Sequence, residues 1–197
     1  MLPKYFVYFG LIFSFIGTFS YLKDTLKGNT KPNKVTWFIW ALAPMIAFLA
    51  LIKQGVGIKS LFTFVVGFNP LLVFLASFLN KKAYWKISKL DIICLIFALL
   101  GIVLWQVTSI ANLAILFSIF ADGIAGAPTI IKAYQSPDTE NAYVYLGSAT
   151  SAVITLLTID IWSFEQFAFP VYILTICLLL FVLIKFNLGN RYKLFKN

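Results

Sequence analysis

Residues 27–53 read KGNTKPNKVTWFIWALAPMIAFLALIK: a lysine-bearing connection, eighteen residues without a charge, then Lys53. A run of that length is close to the roughly 20 mainly apolar residues that carry a helix across about 30 Å of hydrocarbon. It lacks the two-residue alternation of a barrel strand, in which every second side chain faces a wet lumen. Pro44 interrupts the run near its centre, where a membrane helix tolerates it because neighbouring helices can satisfy the freed backbone groups. The stretch predicts a transmembrane helix over 35–52.

The same unit recurs on both sides of it. Apolar runs over 5–22, 61–79, 92–107, 113–131, 142–161 and 167–184 bring the expected number of spans to seven. The 197 residues are 61% hydrophobic and 12% charged, so seven crossings leave no room for a soluble catalytic domain. Residues 1–20 carry only Lys4 ahead of the apolar run and no A-x-A-like cleavage site, so they read as the first span rather than as a signal peptide.

The net charge of +9 would suggest a nucleic-acid partner in a soluble chain. Here the basic residues fall between the apolar runs, so membrane topology explains them and no nucleic acid is expected. One side of the seven-span arrangement carries Lys23, Lys27, Lys31, Lys34, Lys81, Lys82, Lys86, Lys89, Lys132, Lys185, Arg191, Lys193 and Lys196. The other carries only Lys4, Lys53 and Lys59. The positive-inside rule makes the richer side cytoplasmic, with the N-terminus outside, the C-terminus in the cytoplasm and the chain in a plasma or inner membrane. Attraction of these lysines to anionic lipid is a secondary expectation.

Histidine is absent, which removes the commonest metal ligand and general base. Cys94 and Cys177 lie inside apolar runs and suggest neither a disulfide nor a zinc framework. With no paired catalytic carboxylates, no H-E-x-x-H motif and no Ser-Lys dyad, no enzymatic activity, metal or cofactor is expected.

A shift of 105 residues lays LKGNTKPN (26–33) over IKAYQSPD (131–138), matching Lys27 with Lys132 and Pro32 with Pro137. It also pairs the aromatics that begin the following spans, Phe38 with Tyr143 and Trp40 with Tyr145. The expected organisation is therefore an all-α integral membrane protein built as 3+1+3. A first three-helix repeat occupies 1–80, a linker transmembrane helix 81–109, and a second, parallel three-helix repeat with a short basic tail 110–197.

On these features the chain resembles the SWEET and PQ-loop (MtN3-like) transporter superfamily, in its 3+1+3 plan, outside N-terminus and proline-containing helices. The family's proline-glutamine dipeptide is absent: Ala127-Pro128-Thr129 and Tyr21-Leu22-Lys23 stand at the two candidate positions. The resemblance implies a small-solute carrier with a site between the repeats near the midplane, working by alternating access. The partners implied are membrane lipid and a small-molecule solute, and the plan is compatible with a homo-oligomer.

Asp122 lies near the centre of the fifth run. An ionised aspartate there costs roughly 3 kcal/mol on insertion scales, so it should face a cavity, a partner or a proton. It is the candidate for proton coupling and for substrate binding; as a neutral acid it could equally hydrogen-bond another helix. Asn69-Pro70 interrupts the third run, and Pro70 deprives the Val66 carbonyl of its helical donor. The resemblance implies that Asn69 contributes to the substrate pocket, as an asparagine on this helix does in sugar-carrying relatives. On the seventh run Thr175 is the nearest polar counterpart.

Ser118 joins this candidate set one turn before Asp122. Ser148, Ser151 and Thr155 share one face of the sixth run, where they could line a path or let helices pack closely. Pro44, Pro70 and Pro128 are candidate hinges or static kinks, as is Pro170. Trp37, Trp40, Tyr143 and Tyr145 read as interfacial anchors, with stacking on a ligand as the alternative. A receptor or assembly factor on the same helices remains the rival to transport.

Overall fold

A computed structural model describes residues 1–84 and 89–189. Lys86, Arg191, Lys193 and Lys196, with the rest of the expected basic tail, lie outside the described residues. The described residues form seven α-helices: α1 (Phe6–Leu26), α2 (Lys34–Lys53), α3 (Ser60–Ser77), α4 (Lys89–Thr108), α5 (Ala111–Gln135), α6 (Ala142–Leu157) and α7 (Phe164–Lys185). Single 3-10 turns precede α3 and α6. Among the described residues there is no strand, only an isolated bridge between Asn33 and Tyr84.

Each helix falls on one of the apolar runs. Five of them, α1, α2, α3 with the turn before it, α5 and α7, are long and apolar enough to cross a membrane. α6 is shorter: its 16 residues extend about 24 Å at 1.5 Å per residue. Much of the exterior is apolar as well. Phe9, Phe13, Ile16 and Phe19 stand exposed on α1, and Ile92, Ile96, Leu99 and Val103 on α4, surfaces compatible with a lipid surrounding.

The helix ends follow local chemistry. The Asn33 side chain caps α2 by accepting from the Val35 N–H at 3.1 Å, and Asn141 caps α6 by accepting from Tyr143 at 2.8 Å. Each thereby satisfies a backbone donor that the first turn leaves without a partner. Gly28 and Gly55, with φ of 70° and 72°, turn the chain away just past α1 and α2 in the left-handed conformation that a side chain would oppose.

Six helices pack as a closed ring in the order α1, α3, α2, α5, α7, α6, with α6 returning to α1. α4 lies outside the ring, mainly against α5. The closest approach is between α1 and α6. A Cβ on Gly17 would come within 2.6 Å of the Tyr143 carbonyl oxygen, and one on Gly147 within 2.5 Å of the Phe13 carbonyl oxygen. Small residues let two backbones approach this closely where lipid supplies no hydrophobic drive between helices. Across the ring, Gly126 of α5 leaves room for the Trp40 side chain of α2, which a Cβ there would meet at 3.4 Å.

Candidate functional site

A cavity lies inside the ring, lined from all six of its helices: Thr18 of α1, Trp40 of α2, Asn69 of α3, Asp122 of α5, Tyr145 of α6 and Cys177 of α7 are among its walls. Its volume is about 60 Å³; at ~10–15 Å³ for one water, that is room for roughly four. The two residues singled out in the sequence, Asn69 and Asp122, therefore share one space.

Asp122 is 3% exposed. The Tyr172 hydroxyl of α7 donates to its Oδ2 at 2.6 Å, and the Trp40 indole N–H donates to its backbone oxygen at 3.0 Å. Neither of the two ion pairs among the described residues involves it, and no Lys or Arg lines the cavity. Asn69 Nδ2 donates to Ser14 Oγ at 2.9 Å, tying α3 to α1, while its Oδ1 is buried with no hydrogen-bond partner among the described residues. Pro44 and Pro70 leave the Trp40 and Val66 carbonyls without their helical donors, and both residues line the cavity. Pro128 sits half-buried inside α5, and Pro170 is buried in α7.

The other sequence candidates are distributed differently. Ser118 is buried one turn from Asp122, its hydroxyl without a hydrogen-bond partner among the described residues, but it is not a wall of the cavity. Ser151 lies in the tight α1–α6 contact, where a Cβ on Gly10 would be 3.2 Å from its Oγ; Ser148 of the same helix faces the cavity instead. Thr155 donates to the Ser151 carbonyl, so this part of α6 serves close packing.

Thr175 corrects the sequence expectation. It is exposed on the outer face of α7 and donates to the Val171 carbonyl. Two residues along a helix turn through about 200°, so with Cys177 facing the cavity, Thr175 faces outward. Tyr172 takes the part of a polar partner on α7. Trp37, Trp40 and Tyr145 are corrected too. All three are buried, at 4%, 7% and 4% exposure, and line the cavity, whereas Tyr143, at 52%, keeps the outward position of an anchor.

A second polar cluster, unforeseen in the sequence, closes the end of the ring that bears the α1–α2 and α5–α6 connections. Glu140, its side chain 2% exposed, pairs with Lys132 at 2.6 Å. Its Oε2 accepts from Tyr21 at 3.1 Å and from Tyr145 at 3.4 Å. Lys132 also donates to the Lys31 carbonyl. Beside it, Asn141 Nδ2 donates to Ser20 at 3.0 Å and Asp24 at 2.5 Å.

One signal for this cluster was present in the sequence. Asn33 follows Pro32 directly, but Asn141 stands four residues after Pro137, and the added segment supplies the 3-10 turn Pro137–Thr139 and Glu140. At the opposite end Lys59 bonds Asp160 at 3.1 Å and Gln166 at 3.0 Å, and Gln54 donates to Asn112 at 2.8 Å.

Among the described residues no three His, Cys, Asp or Glu side chains gather as a metal site. Compared with protein-family models, curated proteins and solved structures, the chain matches none.

Proposed function

We propose that the chain is a small-solute transporter with 3+1+3 organisation, its site the cavity that Asn69 and Asp122 share. That shared cavity is the observation that carries the reading, because one wall comes from α1–α3 and the facing wall from α5–α7. The helix contacts support it. Replacing α1, α2 and α3 by α5, α6 and α7 turns the α1–α3 contact into α5–α7, α2–α3 into α6–α7, and α1–α6 into α5–α2, and all six contacts are present. α1 and α5 also begin 105 residues apart, at Phe6 and Ala111. Parallel repeats about an axis along the membrane normal are an established transporter plan with substrate near the midplane.

The Glu140 cluster joins the two triplets at the basic end, and Lys59 with Asp160 and Gln54 with Asn112 join them at the other. Opening one set while the other holds exposes the cavity to one side at a time. Seven crossings, with the N-terminus outside and the basic end cytoplasmic, follow from the lysine distribution. Asp122 carries the coupling proton if transport is proton-coupled.

The test is flux. Purified protein in proteoliposomes is assayed for uptake of radiolabelled amines, amino acids, sugars and nucleosides, with Asp122→Asn and Asn69→Ala alongside. Saturable uptake of one class, lost in both variants, is the expected result. No flux of any class, from protein that retains its helical spectrum, overturns transport in favour of a membrane receptor or scaffold.

A further inference from the structure

The cavity's chemistry is one-sided. Among the described residues Asp122 is the one carboxylate in its wall, and no cationic side chain faces it. Tyr172 holds Oδ2, and no hydrogen bond among those residues reaches Oδ1. Asn69 adds a second acceptor, since its amide nitrogen is engaged by Ser14 while Oδ1 is buried and unmatched. A buried acceptor without a donor carries a desolvation cost that a donor reaching it relieves. Three of the donors around the site are committed in the opposite sense, the Trp40 N–H to the Asp122 carbonyl, the Tyr172 hydroxyl to the carboxylate and the Tyr145 hydroxyl to Glu140, while the Ser148 hydroxyl also lines the space and can donate or accept.

Aromatic rings form the remaining walls. Trp37 and Trp40 stand at 86° with centroids 5.3 Å apart, and Trp40 and Tyr145 at 82° and 6.5 Å. Successive rings thus meet edge to face. Ring faces are negative, so a face that borders the cavity attracts a cation, most strongly where water is excluded. A sugar suits this space poorly, because its hydroxyls need several donors as well as acceptors and the walls are mostly apolar.

We propose that the cavity selects small organic cations of the primary or methylated ammonium class, with Asp122 as counter-ion and Trp37, Trp40 and Tyr145 as aromatic walls. The inference rests on the transporter reading for its purpose, but the binding chemistry stands on the cavity alone. An ammonium ion in the cavity would have the free oxygen of Asp122 as its acceptor, and its methyl or methylene groups would lie against the rings.

Purified full-length protein in lipid nanodiscs is titrated calorimetrically with ethylammonium, tetramethylammonium and potassium chlorides, and with the neutral compounds tert-butanol and glucose. Saturable binding of at least one ammonium ion is expected, tighter than potassium by about tenfold or more, as a desolvated cation–π contact provides. Trp37→Leu should bring the ammonium affinity down to that of potassium, and Asp122→Asn should abolish both. Asp122→Glu keeps the charge and should retain binding, so a folding defect in Asp122→Asn would not decide the matter alone.

Equal affinity for potassium and ammonium, glucose or tert-butanol binding that Asp122→Asn leaves intact, or no saturable ammonium response each overturns the proposal. Ammonium binding without flux in proteoliposomes supports this inference and removes transport. Sugar flux without ammonium binding supports transport and removes this inference.

Discussion

The Tyr172 hydroxyl donates to Asp122 Oδ2 at 2.6 Å, so the one acid in the cavity wall ties α5 to α7. Tyr172→Phe should fold and lose about 1 kcal/mol of stability, in the range of interhelical hydrogen bonds in membranes. Thermal unfolding in detergent measures it. A loss no larger than that of a lipid-facing control such as Thr175→Val would mean that the bond contributes nothing.

Asp122→Asn keeps the size and hydrogen-bonding capacity of the side chain but removes its proton exchange. If Asp122 couples transport to protons, wild-type uptake should vary from about pH 5 to about pH 8, and Asp122→Glu, which keeps an exchangeable proton, should vary as well, whereas any residual uptake in Asp122→Asn should not. Flat wild-type uptake would remove proton coupling while leaving the site in place.

Gly147 and Gly123 make a matched pair. A Cβ at Gly147 meets the Phe13 carbonyl oxygen at 2.5 Å, backbone that cannot move aside cheaply, whereas one at Gly123 meets Tyr172 at an ordinary 3.6 Å. Gly147→Ala should destabilise by about 1–3 kcal/mol, as overpacking does, and Gly123→Ala should be neutral within about 0.5 kcal/mol. Similar unfolding midpoints for the two variants would contradict the close α1–α6 contact.

Glu140 and Lys132 should be strongly coupled. Glu140→Gln leaves Lys132 without its charged partner and should cost about 2–3 kcal/mol. Adding Lys132→Met should recover part of that loss, because the double variant carries no unpaired charge. Strict additivity of the two substitutions would show that the pair does not act as a unit.

Cys177 reports on access to the cavity. It is 8% exposed and lines the same space as Asp122. In a Cys94→Ser background, a polar thiol reagent should label it slowly in the resting protein and several times faster in Glu140→Gln, where the contacts at the basic end are weakened. Equal labelling rates would show that the Glu140 cluster does not control that end.

The helices were legible because charge-free runs near the length of a crossing have few alternatives, and their bounds in the structure lie within a few residues of those runs. The importance of Asp122 was legible for a related reason: a lone acid within an apolar run is costly wherever it faces. Asn69 was marked by the proline beside it.

What remained hidden was orientation. Helices that are apolar on every side give no moment to show which face meets protein and which meets lipid. Thr175 could therefore be taken for a cavity residue, and Trp37 and Trp40 for interfacial anchors. Tyr172 looked like any other aromatic of α7, and Glu140 like an ordinary loop acid. By itself the sequence determined that the chain is a set of long apolar helices, because hydrophobicity acts locally. Only the tertiary structure decided that Asp122, Asn69, Trp37, Trp40 and Tyr145 enclose one cavity, because that depends on the order in which six helices, similar in composition, close into a ring.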